Sequence, residues 1–158
     1  MRPIGKGPGA PLPPTLVFVA GFLVGVWINS RLPMVMSDRG PGPFELAAGW
    51  VAVVAGSVVF AWGLGTFARA KTGIMLQQAA QRLVDAGPYR LSRNPMYVGF
   101  VAIYLGASLI ANTVWPLVLL PVVLLAIELA VIAREERYLQ RTFGEAYEEY
   151  CQRVGRWL

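Results

Sequence analysis

The sequence predicts an all-α integral membrane bundle of about four transmembrane helices, followed by a C-terminal amphipathic helix at the membrane interface. Three observations carry this. The 158-residue chain is 56% hydrophobic with a mean hydropathy of +0.52, too apolar for an ordinary soluble domain of that size. Four apolar segments, residues 11–29, 44–67, 96–111 and 114–133, approach the roughly 20 residues a bilayer span requires. Finally, the basic residues are unevenly spread over the connections. Arg2 and Lys6 precede the first segment, while Arg31 and Arg39 follow it. Arg69, Lys71, Arg82, Arg90 and Arg93 lie between the second and third, and Arg134, Arg137, Arg141, Arg153 and Arg156 after the fourth. With both termini cytoplasmic, twelve of the 14 basic residues lie inside and two outside, as the positive-inside rule favours.

Taken in order, residues 1–14 hold five of the twelve prolines and read as a mobile segment ahead of a single membrane-embedded domain, 15–158. The first apolar run lacks a small-x-small cleavage site before Arg31-Leu32-Pro33, so it reads as a membrane helix and not as a signal peptide. Gly21-x-x-x-Gly25, Ala52-x-x-x-Gly56 and the glycines at 49, 56, 63, 99 and 106 place small residues on helix faces. Packing within one bundle is favoured over a dimerisation motif. The connection 69–95 is longer than a plain loop of about 12–15 residues. It predicts a helical piece over 77–84, ended by Asp85-Ala86-Gly87-Pro88. Pro95 suits the first turn of the third helix, which places Asn94 as an N-cap or a ligand contact.

Glu128 lies inside the fourth apolar segment, where an ionisable group should face the bundle and have a partner. A spacing of seven predicts Glu128 and Glu135 on one helical face, with Glu136 turned by about 100°. Beyond Glu136, the residues Tyr138, Phe143, Tyr147, Tyr150, Val154 and Trp157 form an apolar stripe opposite Glu145, Glu148, Glu149 and Arg153. That pattern predicts one amphipathic helix on the membrane surface that also roofs the polar residues.

Several chemistries are excluded. There is no histidine, and Cys151 is the only cysteine. This removes Ser-His-Asp triads, Cys-His dyads, His-ligated zinc, an internal disulfide and cysteine metal clusters, so no metal is expected. No G-x-S-x-G, P-loop or G-x-G-x-x-G is present. The net charge of +5 flanks apolar spans, which suits membrane lipid headgroups and not nucleic acid.

What remains is a pair of polar clusters, Gly87–Tyr97 and Arg134-Glu135-Glu136, that bracket one apolar hairpin. Packed antiparallel, its helices bring both clusters to one membrane face. Leu83-Val84-Asp85-Ala86-Gly87-Pro88-Tyr89-Arg90, Arg93-Asn94-Pro95-Met96-Tyr97, Glu135-Glu136-x-x-Leu139 and Phe143-Gly144-x-x-Tyr147-x-x-Tyr150, in unbroken order over 81–157, resemble the isoprenylcysteine carboxyl methyltransferase and phospholipid methyltransferase superfamily. The first two helices match only in being apolar.

The resemblance implies an integral membrane enzyme that takes S-adenosylmethionine from the cytoplasm and methylates a lipid-like or prenylated acceptor presented from the bilayer. Carried over by position, the cofactor contacts are Gln81, Arg82, Leu83, Val84, Tyr89, Arg93, Asn94, Pro95, Met96, Tyr97 and Glu136, and the catalytic group is Arg134, Glu135 and Glu136. The chemistry agrees: aromatic faces and a carboxylate stabilise a sulfonium, and an arginine suits the cofactor's carboxylate. Two departures stand out. Asn94 replaces a histidine frequent in the superfamily, and Ile132 occupies the place of an arginine that holds the substrate carboxylate in the eukaryotic enzymes. A carboxylate, an amine and a thiol all remain open as acceptors. The acceptor is expected to enter sideways from the bilayer, through a slot left by the small-residue faces.

Two alternatives belong to other classes. Sterol reductases share an Arg-x-Pro-x-Tyr segment and bind NADPH there, although the Glu135-Glu136 pair favours a methyl donor. A small non-catalytic membrane protein would mark its interfaces with arginine and tyrosine. The clustering of polar residues at one hairpin speaks against it.

Overall fold

The computed structural model describes residues 13–70 and 83–158. Among them the secondary structure is helical throughout: α1 (Pro14–Arg31), α2 (Pro43–Ala70), a single 3₁₀ turn (Gly87–Arg90), α3 (Pro95–Ile110), α4 (Trp115–Ile127), a π-helical turn (Glu128–Ile132), α5 (Ala133–Phe143) and α6 (Glu145–Arg153). Most of the lead-in predicted over 1–14, and the helical piece predicted over 77–84 up to residue 82, lie outside the described residues. Leu83 and Val84 are not helical.

α4, the π turn and α5 run on as one rod, Trp115–Phe143. The apolar run ends at Ala133 but the helix does not, because Arg134, Glu135 and Glu136 continue it as good helix formers. The rod, α1 and α2 are long and apolar enough to cross a membrane, at 29, 18 and 28 residues. α3 has 16 residues, about 24 Å of helix against a hydrocarbon core of about 30 Å. Large apolar side chains stand exposed on these helices, among them Leu23, Trp27, Trp50, Val51, Val58, Val122 and Leu129. In water such a surface would be a liability; in lipid it is what a membrane bundle requires.

Helix pairing follows the small residues. α2 and α3 pack antiparallel, with Gly49 against Gly106, Gly56 against Gly99 and Gly63 against Met96. A Cβ on Gly56 would lie 2.5 Å from the Gly99 carbonyl oxygen, and one on Gly99 would lie 2.7 Å from that of Gly56. Backbone touches backbone along this seam, so all five glycines are consumed in packing and the expected apolar slot between them does not exist. α1 and α4 pair in the same way, with Gly25 on Pro116 and Gly21 on Val123. Phe18, Tyr97, Tyr104, Val123, Ile127, Val131 and Ile132 join α1, α3 and the rod in one core. Phe100 ties in α2 through Phe60, at 4.9 Å between ring centroids, and α1 through Phe18, at 5.4 Å.

The α1–α2 loop and the α3–α4 turn dock on each other at one end. The Ser37 N–H donates to Asn112 Oδ1 at 3.0 Å and Asn112 Nδ2 donates back to the Ser37 carbonyl at 2.7 Å. The Val114 N–H reaches the Met34 carbonyl at 3.0 Å. Asn112 has φ +48°, a left-handed conformation asparagine tolerates better than most residues. The segments carrying both polar clusters are thereby left at the opposite end.

Two breaks in the C-terminal third correct the sequence expectations. The π turn holds more residues per turn than an α-helix. A spacing of seven across it is consequently no longer two turns, and Glu128 shares its face with Glu136, eight residues on, while Glu135 points elsewhere. The single amphipathic helix expected after Glu136 is instead two, bent at Gly144 with φ +53°, where a side chain would be strained. The aromatic stripe is buried in protein contacts: Tyr147, Tyr150 and Val154 pack with Leu83, Leu139, Phe143 and Cys151, while Glu145, Glu148, Glu149 and Arg153 are exposed.

Candidate functional site

The site is built where the 3₁₀ turn, the start of α3, the rod and α6 meet. Gly87 opens the turn with φ +59°, and a Cβ there would lie 2.7 Å from Thr66 Oγ1. Only glycine meets both conditions. Pro88 then presets the first helical φ. Tyr89 is buried, its ring edge-on to Phe67 at 5.1 Å and its carbonyl accepting the Tyr150 hydroxyl at 2.7 Å. Its own hydroxyl has no hydrogen-bond partner among the described residues.

Ser92, Arg93 and Asn94 lead into α3. The Ser92 hydroxyl accepts the Asn94 N–H at 3.0 Å. Asn94 occupies the N-cap position, but its side chain makes no capping bond; Nδ2 donates to the Arg156 carbonyl at 3.0 Å instead. Pro95 starts the helix, where its missing N–H is harmless. Met96 fills the space over Gly63, and the Tyr97 hydroxyl donates to Glu135 Oε2 at 3.1 Å.

From the rod, Glu136 faces two guanidinium groups. Arg93 Nη1 lies 3.0 Å from its Oε1 and 2.8 Å from the Cys151 sulfur. Arg156 is bidentate to Glu136, with Nε to Oε1 at 3.0 Å and Nη2 to Oε2 at 2.6 Å, and its Nη1 reaches Glu128. Glu128 thus has the partner its depth requires. Glu135 differs from both, since its partner is the neutral Tyr97 and no basic side chain pairs with it among the described residues.

The structure brings together Tyr89, Arg93, Asn94, Pro95, Met96, Tyr97, Glu135 and Glu136 of the predicted set. Val84 is buried and Leu83 half-buried against the aromatic face of α6. Arg134 is exposed on the outside of α5 and takes no part in the carboxylate network. Gln81 and Arg82 lie outside the described residues. Arg156 and Cys151 were missed. Glu128 was the available signal for Arg156, because a carboxylate at that depth demands a cation. For Cys151 no spacing rule pointed to Arg93.

The arrangement has two chemical halves. One is the Glu135 carboxyl, which among the described residues meets the Tyr97 hydroxyl and no basic side chain. The other is a guanidinium, Arg93, whose Nε is buried without a hydrogen-bond partner, like the Tyr89 hydroxyl. Unsatisfied buried donors are costly, about 1–3 kcal/mol each; Tyr104 and Thr113, away from this site, also carry buried unpartnered hydroxyls, so the two donors here fit a bound acceptor group without identifying one. A groove of about 350 Å³, lined by Asp85, Arg90, Tyr150, Arg153 and Val154, opens beside Tyr150, and neither Arg93 nor Glu135 lines it. The site therefore suits a ligand that carries a positive and a negative group together.

Burial holds the hydroxyls of Tyr89, Tyr147 and Tyr150 well above the usual tyrosine range near 10.0. The folded state binds these protons more tightly than the unfolded chain does. Their contribution to stability is therefore complete below pH 10 and declines as pH rises beyond it. Thermal unfolding followed against tyrosinate absorbance should show the tyrosine-linked fall in melting temperature setting in above about pH 10; tyrosines titrating normally in a folded protein would refute this.

The phospholipid methyltransferase family model matches residues 44–146. Probable protein-S-isoprenylcysteine O-methyltransferases of Oryza sativa, subspecies indica and japonica, are each 32% identical over 113 residues, 70% of this chain and 59% of theirs. Protein-S-isoprenylcysteine O-methyltransferase B of Arabidopsis thaliana is 34% identical over 73 residues, 46% of this chain and 37% of its own. The chain spans about three fifths of the length of the rice relatives. The family match begins at residue 44, within α2, further upstream than the resemblance at 81–157. With α2, α3, the rod and both polar clusters inside the matched residues, this chain belongs to the phospholipid methyltransferase family.

Proposed function

We propose that the chain is an S-adenosylmethionine-dependent methyltransferase acting on a lipid-like or prenylated acceptor. The observation that carries this reading is the pairing, at one end of the bundle, of a carboxyl beside tyrosines that meets no basic side chain with an arginine whose buried Nε is unpartnered, both among the described residues. S-adenosylmethionine supplies an electrophilic methyl group on a sulfonium. Glu135 offers negative charge to a cation and Tyr89 and Tyr97 offer aromatic faces. Arg93 offers donors to a carboxylate. Half-burial of the cluster under α6 limits water, which strengthens these interactions and favours positioning as the main source of rate. The Tyr97 hydroxyl fixes the orientation of Glu135.

The α2–α3 seam is closed, so the acceptor approaches from the bilayer beside Tyr97 and Glu135. Four helices cross the membrane, and both termini and the site are cytoplasmic, supported by the distribution of basic residues. In a Cys151→Ala background, a cysteine replacing the exposed Gln152 should label from the cytoplasmic side and one replacing the exposed Arg39 from the other. The reverse pattern would overturn this topology. Function is tested by incubating the reconstituted protein with methyl-labelled S-adenosylmethionine and prenylcysteine or phospholipid vesicles. Label should enter the lipid fraction; label confined to water-soluble acceptors would refute a lipid-like substrate.

A further inference from the structure

Arg156 lies ten residues beyond the last residue matched by the family model and, although within the 81–157 stretch of the resemblance, in none of its motif fragments. Its surroundings are nonetheless highly specified. The guanidinium binds Glu136 with two nitrogens and Glu128 with the third. Its backbone is fixed independently: the Arg156 carbonyl accepts from Asn94 Nδ2 at 3.0 Å and from the Ser92 hydroxyl at 3.3 Å, and the Gly155 carbonyl accepts the Arg93 N–H at 2.9 Å. The segment after α6 thus straps the approach to α3 onto the rod.

A membrane-surface arginine needs none of this, and an isolated exposed ion pair contributes little. A bidentate, partly buried pair is stronger and geometrically specific. Glu136 is shared between Arg156 and Arg93, so the guanidinium that orients Glu136 also decides where Arg93 Nη1 is held. Arg93 keeps a buried Nε with no hydrogen-bond partner among the described residues. Hydrogen bonding to Glu136 raises the Arg156 pKa further above the usual arginine range, so it stays charged at any working pH.

We propose that Arg156 is a positioning residue of the methyl-donor site: by clamping Glu136 and Glu128 it sets the Glu136–Arg93 pair, and through it the Arg93 donors that meet the donor's carboxylate. This rests on the proposed use of S-adenosylmethionine.

The test measures the dissociation constant for S-adenosylmethionine and the melting temperature of the reconstituted full chain. The variants are wild type, Arg156→Ala, Arg156→Lys, Glu136→Gln and the Arg156→Ala/Glu136→Gln double. Arg156→Ala should weaken binding about tenfold or more. Arg156→Lys should recover only part of the loss, since one ammonium cannot reproduce the planar fork. The double variant should bind no more weakly than Glu136→Gln alone, because both act through one carboxylate. Added guanidinium ion at tens of millimolar should restore affinity to Arg156→Ala without raising its melting temperature, a split that a purely structural role would not permit.

A folded Arg156→Ala of wild-type affinity, or additive losses in the double variant, would overturn the inference and leave the donor reading intact. If Arg156→Ala does not fold, wild-type affinity in Arg156→Lys overturns it equally. A folded wild type that binds no S-adenosylmethionine overturns the donor reading and the inference together.

Discussion

Glu136→Gln should lower affinity for S-adenosylmethionine at least about tenfold, while Glu149→Gln leaves it unchanged. Glu136 is a carboxylate between two arginines, at 3.0 Å from Arg93 and 2.6 Å from Arg156. The amide keeps its size but not its charge, and loss of a charge-assisted contact costs roughly 1.5–3 kcal/mol. Arg156 would then keep Glu128 as its carboxylate partner while Arg93 would keep only the Cys151 sulfur, and the Arg93 donors would lose their fixed position. Glu149 sits on the exposed face of α6, where a carboxylate contributes little. Titration calorimetry on the two purified variants decides the matter. Equal affinities in folded proteins would remove Glu136 from the site.

Gly56→Leu should prevent the bundle from assembling. The first added carbon would already sit 2.5 Å from the Gly99 carbonyl oxygen and 2.9 Å from the backbone nitrogen of Ile103. Overpacking a side chain costs about 1–3 kcal/mol, but here the obstacle is backbone, which cannot rotate away. Gly65, on the same helix, has nothing within 4 Å of its Cβ position. Gly65→Ala should therefore be neutral or add about 0.5–1 kcal/mol through helix propensity. Thermal unfolding in detergent separates the two. A Gly56→Leu protein that melts like wild type would mean that the α2–α3 seam is not the contact described.

Much of this was legible in the sequence because hydropathy and charge act locally. Apolar runs give the helices, Pro95 gives the start of α3, and the paired clusters at Tyr97 and Glu135 follow from antiparallel packing of a hairpin. What was not legible depends on geometry between distant segments. The π turn at Glu128–Ile132 alters the helical phase by a local change that no residue type announces, and with it the choice of which glutamate faces which partner. Gly144 reads as part of a helical stripe until its φ of +53° is known. The aromatic stripe on α6 looked fit for lipid and is used on protein, because periodicity reveals an apolar face but not what covers it. The same limit applies to the glycines, whose spacing fits both a slot and a seam.

Direct binding to the wild-type protein in lipid nanodiscs, with S-adenosylmethionine and NADPH titrated separately, tests the central claim. Saturable binding of S-adenosylmethionine is expected, weakened by Glu135→Gln and unchanged by Glu149→Gln, with no saturable binding of NADPH. Saturable NADPH binding with none for S-adenosylmethionine would contradict the methyl-donor site and favour a reductase.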